Sequence, residues 1–152
     1  MDSPQQRVEA DLKAALKAGD KERLSTLRLL LTEVKNERIR RGAEVDAEGF
    51  AAVVRRAIKK CQEAAESYRA GGRPEQAAKE EREVAVLEGY LPKQASEAEI
   101  RAAVEAIAAA EGLAGPQAMG PLMKAALARL GAGADGKTVS RIAREVLAAR
   151  AG

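Results

Sequence analysis

One stretch of this chain matches a phosphate-binding expression. Gly131, Gly136, Lys137 and Thr138 fit G-x-x-x-x-G-K-[ST], in which loop amides cradle phosphates and the lysine neutralises them. That chemistry needs the loop to lie between a buried strand and a helix. Here the preceding residues, Ala125 to Leu130, close an amphipathic helical pattern, and only fourteen residues follow Thr138. No sheet can be built from them, so a nucleotide site is rejected. Gly131 is read as ending one helix, Asp135 as capping the next and Thr138 as lying in its first turn.

Other reactive groups are scarce. The chain has no His and one Cys, which excludes a Cys/His zinc site, a histidine base, Ser-His-Asp or Cys-His catalysis and an internal disulfide. A metal would need carboxylates alone, and neither a metal nor a cofactor is expected. Cys61 falls in an apolar stripe and is read as a small core residue. Glu80, Glu81 and Glu83 could be called paired carboxylates, yet no cleft or nucleophile accompanies them and a solvated helix face is the simpler reading. No catalytic residue is assigned. With two Tyr, one Phe and no Trp, the chain lacks the stacking platforms that read single strands, so any RNA contact would be electrostatic and shape-based.

Charge is the remaining signal. The net +3 hides an uneven distribution: residues 21–60 hold eleven Lys/Arg against six acids, 61–92 four against seven, and 112–152 six against two. At about 100° per helical residue, Lys137, Arg141 and Arg144 share one narrow sector, opposite Val139, Ile142, Ala143 and Val146. Lys137 also stands near a helix N-terminus, where free amides favour an anion. The alternative is an ordinary solvated face. A second basic group contains Arg38, Arg40, Arg55 and Arg56, with Lys35, Arg41, Lys59 and Lys60 beside them. Glu37 and Arg41 make a favourable i,i+4 pair, yet Arg38, Arg55 and Arg56 have no acid four residues away. They suggest an anionic partner, or else they answer the acidic run at Glu80, Glu81 and Glu83.

The elements that must position these groups are all helical. Apolar residues recur at three and four throughout, and strand-like alternation is nowhere sustained. Helices are predicted over 5–18, 21–41, 47–70, 74–90, 97–111, 116–130 and 136–150. In the second, Leu24, Leu27, Leu31 and Val34 should face inward. In the third, the stripe runs from Phe50 through Val53, Val54, Ala57, Ile58 and Cys61 to Tyr68. In the sixth, Met119, Leu122, Met123, Leu127 and Leu130 should be inside. Gly71, Gly72, Arg73 and Pro74 make a hairpin turn, with Tyr68 and Tyr90 packing beside it. With 34 alanines and three aromatics, the core must be aliphatic. The expected architecture is all-α, an N-terminal helical hairpin or bundle at 1–93 followed by a small three-helix C-terminal domain at 94–152. No apolar run approaches the ~18 residues of a membrane span, and the first residues lack a signal-peptide pattern, so a cytoplasmic protein with no membrane partner is expected.

Four strings are distinctive: LRLLLTEVKNERI at 27–39, AIKKCQEAAESYRAGGRPEQAAKEEREVAVLEGYLPKQ at 57–94, MGPLMKAAL at 119–127 and ADGKTVSRIAREVL at 134–147. Together they resemble the GatB/YqeY family in its stand-alone YqeY-like form. The resemblance implies that the C-terminal region is similar to the tail of the B subunit of the glutamine-dependent aminoacyl-tRNA amidotransferase, which contacts the tRNA body. It therefore implies a tRNA-binding helical module with Lys124, Lys137, Arg141 and Arg144 at phosphates. Lys124 matches the lysine of MG-x-x-MK and Lys137 that of ADGK. Where relatives often carry basic residues between these elements, this chain reads Ala128, Arg129, Leu130, Gly131, Ala132, Gly133. The family label of carbon–nitrogen ligase with glutamine as amido donor finds no ATP cradle, amidase Ser and Lys, or ammonia-releasing His or Cys here. The second expectation is an adaptor that docks on an amidotransferase or another translation protein through the hairpin, with Arg55 and Arg56 in the contact.

Overall fold

The computed structural model describes residues 3–152, which form seven α-helices and no strand. Their boundaries follow local chemistry. α1, Pro4–Ala18, opens on a capping box in which Ser3 and Gln6 exchange side-chain and backbone hydrogen bonds, satisfying amides that the first turn leaves without partners. α2, Lys21–Arg41, is capped by Asp20 and stops at Gly42, whose φ of 68° is left-handed backbone that a side chain would strain. Asp46 caps α3, Ala47–Ala70. A turn through Gly71 and Gly72 leads to Pro74, the first residue of α4, Pro74–Glu88. Ser96 and Glu99 form the capping box of α5, Glu97–Glu111. α6, Met119–Leu130, follows a short 3₁₀ turn at Pro116–Ala118, and α7, Gly136–Ala151, opens on Asp135. No helix among the described residues is long and apolar enough to cross a membrane.

The chain divides into two compact units, one up to Leu91 and one over Pro92–Gly152. In the first, α1 pairs with α2 and α3 with α4, and α2 also packs on both α3 and α4. Leu27, Leu30, Val34, Val53, Val54 and Leu87 fill its core. At one end Phe50 meets Tyr90 edge-on, ring centroids 6.2 Å apart. Arg7 lies over the Tyr90 ring at 4.6 Å and donates to the Gly89 carbonyl at 3.0 Å, while the Tyr90 hydroxyl donates to Asp11. In the second unit, α5, α6 and α7 all touch one another around Val104, Leu122, Val139, Ile142 and Leu147.

Several sequence expectations need correction. α4 ends two residues early, at Glu88, so Tyr90 lies beyond the helix and closes the core against Phe50, α1 and α3's first turn rather than the hairpin tip. Residues 116–118 are 3₁₀, because Pro116 starts a turn that only later loosens into α6. Leu30, not Leu31, is the fully buried leucine of that turn of α2. Leu127 is 36% exposed, since Ala126 takes the inward position beside Leu122.

Candidate nucleic-acid interface

α7 is positioned by its apolar face: Val139, Ile142, Ala143, Val146 and Leu147 are all buried. The opposite sector therefore faces out, and Lys137 and Arg144 are exposed there. Neither enters an ion pair among the described residues. Arg141, from the same sector, is different. It pairs with Glu97 at the start of α5 and, at 3.3 Å, with Glu145 one turn on. Glu145 also accepts from Arg101 of α5, and that hydrogen bond more than any other holds its carboxyl below the usual range. Arg141 thus clamps α5 to α7 and has less capacity left for a phosphate than sequence spacing implies. The Glu145 pair had a visible signal, four residues away on one helix; Glu97, 44 residues away, had none.

The start of α7 is also partly filled. Asp135 accepts from the Lys137 amide at 3.4 Å and from the Thr138 hydroxyl at 3.4 Å. Its carboxylate occupies the position an incoming anion would take at these groups. α6 precedes Gly131 directly, so the Gly131–Thr138 segment lacks the strand that a phosphate loop requires. Lys124 is exposed on α6 and forms no ion pair among the described residues.

The second basic group is organised by Glu37, which helical spacing pairs with Arg41 and which the fold also gives to Arg40 and Arg56. Glu37 is only 4% exposed. It accepts from Arg40, from Arg41 Nε at 2.7 Å and from Arg56 Nη2 at 2.9 Å. The Arg41 hydrogen bond is the main reason its carboxyl titrates below the usual range despite burial. Arg41 also approaches Asp46 at 3.6 Å, and Arg38 approaches Glu44 at 3.7 Å. Arg55 is engaged as well. Arg38, Arg40, Arg41 and Arg56 therefore answer Glu37, Glu44 and Asp46, not the acidic run of α4. That run has its own partners: Glu81 pairs with Arg69 across the hairpin, and Arg82 reaches Glu22 of α2 at 2.8 Å.

Cys61 is half-buried on α3 and donates its thiol to Glu83 at 3.5 Å. With Glu80 it forms a thiol and two carboxylates whose ligand atoms lie within 4.8 Å of one another. Burial, then Glu80 and Glu83, push the thiol up to about 12, and burial with the Glu80 charge raises Glu83 as well. The thiol stays protonated, which makes the group a hydrogen-bonded cluster.

A family model described as Yqey-like protein matches residues 5–147. The chain belongs to the YqeY-like family. The match begins inside α1 and ends inside α7, so it covers most of both compact units of this YqeY-like chain. No curated protein matches the chain.

Proposed function

We propose that this YqeY-like chain is a non-catalytic helical module that binds tRNA through exposed cations of its C-terminal unit. The carrying observation is the outward face of α7, where Lys137 and Arg144 stand exposed outside any ion pair while the helix's other face is sealed into the core. Lys124 on α6 supplies a third cation. The resemblance of residues 119–147 to the amidotransferase B-subunit tail supports RNA as the ligand. Arg141 holds the helix in place and contributes less to binding. Phosphates and 2′-hydroxyls would be contacted by shape, without reading bases. With three such contacts, log affinity should fall by roughly 3 per decade of salt on the duplex rule.

Fluorescence-anisotropy titration of the full chain with total tRNA and a length-matched DNA duplex, at about 50 and 200 mM salt, tests this. Preference for tRNA that is lost in Lys137→Glu/Arg144→Glu at unchanged helicity is the expected result. No binding, or equal binding to both nucleic acids, overturns it and leaves docking on a translation protein as the function to test.

A further inference from the structure

In the N-terminal unit, α2, α3 and α4 enclose a cleft of about 140 Å³. Its floor is aliphatic, formed by Leu30, Ala57 and Leu87, with Leu29 at the rim 60% exposed. A cavity of roughly 150 Å³ accommodates a benzene-sized molecule, so the floor suits one short aliphatic side chain. The polar lining carries both signs. Arg56 and Lys60, one turn apart on α3, supply two cations; Glu33 from α2 and Glu83 from α4 supply two carboxylates. Arg56 gives one Nη2 to Glu37 and keeps its other N–H groups, with half of its side chain exposed. Glu83 sits beside Glu80 and Cys61, where burial and the second carboxylate disfavour its charge; the Cys61 hydrogen bond and Lys79 offset that only in part. A cationic donor arriving at Glu83 would relieve this repulsion.

An anionic lipid tail would leave Glu33 and Glu83 facing hydrocarbon, and an alkylamine would leave Arg56 and Lys60 without an anion. A molecule bearing both charges meets both sets, and unmet polar groups in a partly buried site reject the others. We infer that the cleft binds a free aliphatic α-amino acid, with its carboxylate on Arg56 and Lys60, its ammonium on Glu83 and Glu33, and its side chain over Leu30, Ala57 and Leu87. This site is separate from the tRNA reading and stands or falls without it.

Calorimetric titration of the full chain with L-leucine and L-methionine, beside isopentylamine and 4-methylpentanoate as half-ligands, tests the inference. Saturable binding of at least one amino acid is expected, with each half-ligand about tenfold weaker or more. Lys60→Gln and Glu83→Gln should each weaken it by about tenfold at unchanged helicity, and the Ala57 methyl resonance should shift on titration. Absence of binding by both amino acids, half-ligands that bind equally well, or affinity indifferent to both substitutions would overturn it.

Discussion

Arg56 Nη2 donates to Glu37 Oε1 at 2.9 Å, tying α3 to α2 through a carboxylate that is 4% exposed. Arg40 and Arg41, from the same helix as Glu37, close over the other sides of that carboxylate. The three arginine side chains are 40–68% exposed, whereas the acid is buried. Glu37 therefore works as a buried anchor that fixes the position of three surface arginines.

Glu37→Leu should lower Tm by several degrees, because three cations lose their shared acceptor, and Arg56→Gln should lower it less, because two donors remain on Glu37. The pH dependence has a definite sign. Glu37 titrates below its unfolded value, so its contribution is fully present above the unfolded carboxylate range and disappears as pH falls through the depressed folded value. The Tm gap between wild type and Glu37→Leu should thus close in acid. A gap that widens on acidification would contradict this assignment.

The C-terminal unit allows two α7 arginines to be separated by role. Arg144→Gln should weaken tRNA binding several-fold, in line with loss of one phosphate contact, and leave Tm unchanged. Arg141→Gln should do the reverse, loosening α5 from α7 by removing the pairs to Glu97 and Glu145, with less than a twofold effect on affinity. Anisotropy and thermal melts on the same samples read both effects. Equal losses of affinity would return Arg141 to the binding face.

How much of this was legible in the chain depends on how local the cause is. The ends of α2 and α3 were readable because Gly42 and Asp46 act on their own helix termini. The buried face of α7 was readable because Val139, Ile142 and Val146 follow helical spacing. For Glu37 only the Arg41 pair, four residues away on the same helix, was readable; Arg56, nineteen residues away, becomes its partner only when α2 and α3 pack. The same holds for Arg141 and Glu97. The cleft depends on three helices, and no single segment of sequence shows that Glu33, Lys60 and Glu83 border one space.

Core position, not residue type, should decide the cost of losing a leucine in α6. Leu122 is 0% exposed and Leu127 is 36% exposed five residues later. Leu122→Ala leaves a cavity and should destabilise the C-terminal unit by about 2–5 kcal/mol. Leu127→Ala should cost less than about 1 kcal/mol, since water already reaches the side chain. Urea unfolding of the full chain followed by helicity measures both, and similar midpoints for the two variants would show that α6 packs with a different face inward.

Cys61 offers the last test, because its reactivity reports the carboxylates around it. The thiolate is the nucleophile, and a thiol held up to about 12 is almost wholly protonated at pH 8. Alkylation by iodoacetamide should then run at least about a hundredfold slower than for a free cysteine. Glu83→Gln removes a neighbouring negative charge and leaves the thiol only a neutral amide acceptor at this position, so alkylation should accelerate even though Cys61 stays half-buried. Because Glu83 titrates above its unfolded value, its ionisation opposes folding near neutral pH. Glu83→Gln should therefore raise Tm at pH 7, and the gain should fade as pH falls and the wild-type carboxyl takes up its proton. Slow alkylation that persists in Glu83→Gln would assign the protection to burial and Glu80 and remove Glu83's charge as a reason for placing a ligand's ammonium at this end of the cleft.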